Sequence, residues 1–500
     1  MPARYRTGRF PQKIAHKAAP LGSLPAGDFH AVAVAPGDAV WAVASEGLFS
    51  GGLSGFERQA LPDGFDPMQI RSLCVMPAEE PSLALFAADG TCWQREGERE
   101  PWVRVAVSRA PDIVLGETNL SELERQGRAR VLLNLHDNAW LAVVEGNVVA
   151  VGAGGFVEPL PGDLIRAPRG DLTKAVEAPD GSWWFASGRG VCQLHDGEWE
   201  YFAGQRWLNS DKVRDLAVDS CGHAWVATAE GLCCLEYRDL SLAEKATYLE
   251  NVTRRRHIRS GFVCENRLAA PGTVGDYTHE ASDNDGLWTA LYLAAESFRY
   301  AATGDEEARA FAKESALALC RLESVTPVSG LMARAVVAKG EDVLKSSGEW
   351  HNSPDGQWEW KGDCSSDELD GDYFALAVYW DLAADDEGRQ AVYGTIERLT
   401  DHLLNNGYFL VDVDGEPTTW GFFAPEWLNV TREDQRGLNS LEMLAYLAAA
   451  RHICGHQRYE EHYWRLVEQH HYALNIINQK ILWPNDVNFS DDELAFCVYY

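Results

Sequence analysis

Over roughly the first 240 residues, apolar and polar positions alternate in short bursts that break at Pro, Asp or Gly; beyond Ser241, apolar residues recur every third or fourth position. Alternation sends successive side chains to opposite faces of a strand. The longer spacing lines one stripe of a helix. The chain therefore predicts a strand-rich half followed by a helical half. Helical spacing is clearest over Leu287 to Ala302, Glu306 to Leu322, Tyr373 to Leu382, Arg389 to Asn405, Leu438 to Cys454 and Tyr459 to Ile477.

The strand-rich half repeats itself. Segments His30 to Leu48, Lys174 to Val191 and Val213 to Leu232 each read as an alternating strand, a turn, a second strand opening near Trp, and a Gly-led turn into a third strand. Weaker copies at Arg71 to Trp93 and Val131 to Val151 bring the tally to about five, at the spacing of propeller blades. The run Gly222-His-Ala-Trp-Val-Ala-Thr-Ala-Glu-Gly-Leu232 resembles the short propeller repeat of two-component-regulator sensors, with Ala227 where that repeat usually has glycine. The resemblance implies a β-propeller and leaves its ligand open. Trp41, Trp140, Trp184 and Trp225 recur at one blade position, which favours packing between blades over sugar stacking.

The expected organisation is multidomain β + α. It comprises an N-terminal extension (1–28), a propeller of about five blades (29–240), a linker and entry segment (241–281), and an (α/α) toroid (282–500). The final residues, Asp491 to Tyr500, open an apolar helix with no stop signal, so the expected toroid is incomplete and the natural chain is expected to continue.

Four helix starts in the second half are acidic: Ser282 to Trp288, Asp363 to Asp370, Gly437 to Glu442 and Phe489 to Ala495. Ser365/Glu368, Asn439/Glu442 and Ser490/Glu493 have capping-box spacing, which accounts for one acid at each. The surplus is harder to place. Asp363, Asp367, Asp370 and Asp372 crowd one start and Asp491 with Asp492 another, and neighbouring carboxylates raise one another's pKa. Trp288, Trp358, Trp360, Tyr373 and Trp420 lie near these acids in sequence and suit the apolar faces of sugars.

This half resembles the (α/α) barrels of glycoside hydrolases and polysaccharide lyases. The resemblance implies a carbohydrate-active enzyme, first of all a glycoside hydrolase with paired carboxylates drawn from Asp285, Asp367, Glu368 and Asp492, with His351 and Asp363 as further catalytic candidates. Trp288, Trp360, Tyr373, Trp420, Arg436 and Asn439 are the expected substrate contacts. A lyase is the nearest alternative, with His351 or Tyr373 as base and Arg436 neutralising a uronate; a non-catalytic ligand-binding sensor is the alternative of another class. No cofactor is expected. A structural calcium at Asp283 to Gly286 or Ser490 to Glu493 is a minor expectation, since these runs offer oxygen ligands without EF-hand spacing.

Charge narrows the partners. The 44 Lys and Arg against 75 Asp and Glu leave a net charge of -31, which disfavours nucleic acid and anionic lipid. The 11 cysteines form no CxxC pair and no export signal is visible, so the expected setting is cytoplasmic with free thiols. P-loop, Gly-x-Ser-x-Gly and dinucleotide-binding signatures are missing from suitable contexts.

Overall fold

The computed structural model describes residues 10–16, 24–25, 27–76, 82–96, 100–106, 114–115, 118–119, 129–136, 139–144, 147–151, 157–158, 160, 162–269, 275–480 and 489–500. The chain forms two compact units, residues 1–246 with 268–277 and residues 247–267 with 278–500. No described helix is long and apolar enough to cross a membrane. All eleven cysteines are free thiols.

The first unit is a β-propeller of five four-stranded antiparallel sheets. Four of them run in sequence order from first strand to fourth, beginning at Phe29–Val34, Ile70–Met76, Ala129–His136 and Leu172–Glu177. The fifth takes Val213–Val218, Ala224–Thr228 and Gly231–Leu240 from the end of the repeat region, and its fourth strand is Phe10–His16. Residues 10–16, expected in an extension ahead of the propeller, thus close it, with Phe10 opposite Leu240 and His16 opposite Cys234.

Trp41, Trp184 and Trp225 are buried, and Trp225 meets Phe56 of the first blade edge-on at 5.9 Å, as packing between blades requires. The Trp140 side chain lies outside the described residues. Asp215 ties three blades together by accepting from Val32 N at 2.9 Å and Lys174 Nζ at 2.6 Å.

The second unit is helical. Its longer helices are α1 (Leu242–Arg256, which begins in the first unit), α2 (Asp285–Thr303), α3 (Glu306–Ser324), α4 (Ser366–Leu382), α5 (Asp386–Asn405), α6 (Arg436–Cys454), α7 (Gln457–His470) and α8 (Phe489–Tyr499). Helix α4 lies between α2 and α6, and α8 packs on α4 and α6. A second row, α3, α5 and α7, packs outside them. Asp305 and Asp385 cap α3 and α5, and left-handed Gly304 and Gly455 end α2 and α6, so each pair turns sharply from one helix to the next. Gly371 brings α4 against α2, since a Cβ there would stand 2.9 Å from Ala290 Cβ and 3.1 Å from Leu287 Cα. The starts of α2 and α4 meet at one end of this row, and α6 reaches the first turns of α4 through Tyr446 near its middle.

Candidate active site

The α2 start is held by its own side chains and two cations. Ser282 donates to Asp285 Oδ1 through its backbone N–H at 3.1 Å and its hydroxyl at 2.8 Å, while buried Arg259 donates to Asp285 Oδ2 at 3.1 Å. Burial raises the Asp285 carboxyl to about 6 against the pull of Arg259. Two residues earlier, half-buried Asp283 pairs with Lys361 and accepts from Ser346 Oγ at 2.9 Å. Burial would raise Asp283, but Lys361 and Ser346 bring it below the ordinary carboxylate value.

The α4 start faces that of α2. Asn284 Nδ2 donates to Asp367 Oδ2 at 2.9 Å, and the other Asp367 oxygen is buried without a hydrogen-bond partner among the described residues. Burial raises Asp367, and Arg334 opposes the rise only in part. Its neighbour Glu368 is fully buried and accepts from Leu287 N at 2.9 Å. The capping boxes expected at Ser365/Glu368 and Asn439/Glu442 are therefore not formed. Ser365 makes no side-chain cap, Glu368 satisfies a free N–H of α2 instead, and α6 begins at Arg436 with Asn439 inside it.

One turn deeper, Asp370 accepts a hydrogen bond from the Tyr446 hydroxyl and has the Glu442 carboxyl as its neighbour. Burial raises both carboxyls, and their mutual repulsion lets the pair hold a proton between them. Asp372 is wholly buried, neither of its oxygens meets a partner among the described residues, and burial raises it well above the carboxylate range. A carboxyl in such surroundings is kept neutral.

Asp285, Asp367 and Glu368 are thus brought together, and other expected residues are not. Asp492 is exposed on the first turn of α8; its neighbour Asp491 is the one that approaches the cluster, paired to Lys480 and acting on Glu442. Asp363 is exposed, with both oxygens accepting from Thr419, N–H at 2.7 Å and hydroxyl at 3.0 Å, so it fastens a hairpin. His351 stacks on Trp360 with ring centroids 4.5 Å apart, and Trp360 is itself buried.

Tyr373, expected to touch substrate or act as a base, is buried. It stacks on Tyr446 at 4.4 Å and shares a 2.8 Å hydrogen bond with Thr400, because the helical stripe that carries it faces α6 and α5. Asn439 is likewise buried and donates to Phe422 O at 3.0 Å. Trp288 and Arg436 are half-buried, and Trp420 is exposed with Arg432 beside its ring. The calcium ligands do not converge, since Lys361 and Arg259 engage Asp283 and Asp285, and no metal-holding group of acids, His or Cys occurs among the described residues.

Lys361 and Arg334 were not expected at the site, and Asp283 was expected only among the calcium ligands. Arg334 donates to Asp283 O at 2.9 Å and bears on Asp367, while Lys361 pairs with Asp283 from 78 positions away. The only sequence signal was Asp283 itself, at the head of an acidic start.

No protein-family model matches the chain, and no curated protein matches it. Solved β-propeller structures are similar to it. A streptogramin B lyase shares 10% identity at a TM-score of 0.29, with 47% of this chain and 100% of that one covered. The extracellular domain of a hybrid two component system from B. thetaiotaomicron also shares 10% at 0.29, with 45% and 42% covered. The WD40 β-propeller domain of Doa1 shares 11% at 0.23, with 42% and 93% covered. The propeller itself rests on its five sheets.

Proposed function

We propose that the helix pairs of the second unit belong to an (α/α) toroid and that their joined starts form a glycoside hydrolase site. The reading is carried by one observation: Asp283 and Asp367, linked through Asn284, have environments that push their proton affinities in opposite directions. Asp367, holding its proton, is the general acid that protonates the departing glycosidic oxygen. Asp283, held ionised by Lys361 and Ser346, is the partner carboxylate that activates water or attacks the anomeric carbon. Half-buried Trp288, one turn along α2, offers a ring for a sugar face. The buried carboxyls behind them keep the site's interior poor in free charge.

The test is Asp367→Asn and Asp283→Asn, assayed for sugar release on a broad oligosaccharide and polysaccharide panel, with binding followed by calorimetry. Turnover falls about 100- to 10,000-fold in each variant while binding changes only a few-fold. The wild-type rate falls as pH rises and Asp367 loses its proton, and falls as pH drops and Asp283 gains one. A wild type that releases nothing from the panel yet binds a glycan makes the molecule a sensor. Full activity in Asp367→Asn removes the assigned acid.

A further inference from the structure

In every blade the first strand slips register against the second, by one residue in four blades and twice in the blade that opens with Ala129–His136, where a further slip falls between Asn134 and His136. The slips fall between Phe29 and Ala31, Ile70 and Ser72, Val131 and Leu133, Leu172 and Lys174, and Val213 and Asp215. Such a bulge leaves one residue unpaired and re-aims its side chain. The first strands of neighbouring blades pack on one another, Phe29–Val34 on Val213–Val218 and on Ile70–Met76, and Leu172–Glu177 on Val213–Val218 and on Ala129–His136, so they are the inner strands and their bulges lie toward the propeller axis. The residues inside these five bulges are His30, Arg71, Leu132, Thr173 and Arg214. Four of them, with Asp28, line one cavity of about 430 Å³, a volume suited to a small molecule.

The chemistry of this cavity runs against that of the chain. Acids outnumber bases 75 to 44 overall, yet the cavity has two arginines and a histidine against one aspartate. Arg214 is committed to Asp28 through two contacts, Nε to Oδ1 at 3.2 Å and Nη2 to Oδ2 at 2.9 Å. Arg71 is exposed and has no ion pair among the described residues. His30 shares a 3.0 Å hydrogen bond between Nε2 and Pro67 O, and its buried Nδ1 has no partner among the described residues. A planar guanidinium left unpaired in a concave site is suited to bidentate capture of an oxyanion.

We propose that the axial cavity of the propeller binds a small ligand through a carboxylate or phosphate group, with Arg71 as its anchor and Arg214 as a second donor that Asp28 holds back. The site is independent of the carboxylate chemistry assigned to the helical unit.

The test is calorimetric titration of the full chain with malonate and, separately, with inorganic phosphate, in buffer whose only other anion is chloride. One saturable site is expected, weakened tenfold or more in Arg71→Gln and tightened severalfold in Asp28→Asn, which frees Arg214. Arg71 is exposed, so its variant keeps the fold, and circular dichroism verifies this. The tighter probe identifies the oxyanion. Absence of saturable binding to either probe, equal binding by Arg71→Gln and wild type, or weaker binding by Asp28→Asn would each overturn the proposal.

Discussion

Replacing Gly286 with Ala tests how closely α2 and α4 are fitted at the acidic cluster. A Cβ at 286 would stand 1.9 Å from Glu368 Oε2 and 3.1 Å from Leu322 Cδ1. Glu368 is fully buried and has no route to water, so it must give up its bond to Leu287 N. An orphaned buried N–H costs about 1–3 kcal/mol. Crowding costs a further 1–3 kcal/mol or so, and the gain from alanine in a helix offsets about 1 kcal/mol. The net loss is about 3 kcal/mol, or roughly 6–12 °C in the melting temperature of a unit this size.

Gly394→Ala in α5 is the control. Its Cβ meets only Arg398 Nη1 at 2.9 Å, on a guanidinium whose Nε and Nη2 are bonded to Glu323, so a slight tilt of that group makes room and the helix gains less than about 1 kcal/mol. Urea unfolding of Gly286→Ala, Glu368→Ala and the double variant completes the cycle. With Glu368 truncated the severe obstacle is gone and only Leu322 Cδ1 at 3.1 Å remains, so adding Gly286→Ala to Glu368→Ala costs less than about 1 kcal/mol. Additive losses, with coupling below about 0.5 kcal/mol, refute the reasoning.

The two units respond oppositely to pH. Asp285 and Glu296 are raised on folding, chiefly by burial, so the helical unit loses stability as pH rises from the unfolded values near 4 through about 6 and above. In the propeller, burial would raise Glu236, but His16 and Arg238 bring it to about 2, so its stabilisation is present above the unfolded value and lost as pH falls toward 2. Calorimetric scans near pH 3, 5 and 7 resolve two transitions that move in opposite senses; parallel movement contradicts the assignment. Asp215→Ala leaves Val32 N without its acceptor and costs about 1–3 kcal/mol in urea unfolding. Ile14→Asp, at a buried position of the closing strand, lowers the propeller's melting temperature and speeds its proteolysis, with no change in the helical transition.

The blades were legible because their signal is local: strand, turn and Trp lie within about twenty residues, as at Val213 to Leu232. The closing strand was not. Phe10-Pro-Gln-Lys-Ile-Ala-His16 carries Pro and Lys, which mark a sheet edge, and its partner lies more than 200 residues away. At the helix starts, Ser-x-x-Glu spacing was visible but its outcome depended on what stood opposite. Ser241 and Glu244 do close a reciprocal box, at 2.7 and 3.3 Å, with both residues near solvent. Ser365 and Glu368 have the same spacing, but Gly286 leaves room for Glu368 to reach Leu287 N, and the tertiary bond prevails. Excess acid near Asp367 was readable; that Lys361 would hold Asp283 charged was not, because only the folded chain brings them together.

The strand Phe10–His16 also orders the molecule's synthesis. It leaves the ribosome before the rest of the propeller, yet the edge that receives it, Gly231–Leu240, is made more than 200 residues later. At bacterial or eukaryotic elongation rates of about 5–20 residues per second, that is a wait on the order of 10–50 s. During that interval the early blades have no neighbour to complete the ring, and the nascent chain displays open strand edges of the kind that chaperones shield. The helical half follows, so the propeller can shut while the ribosome is still making the residues that surround Asp367.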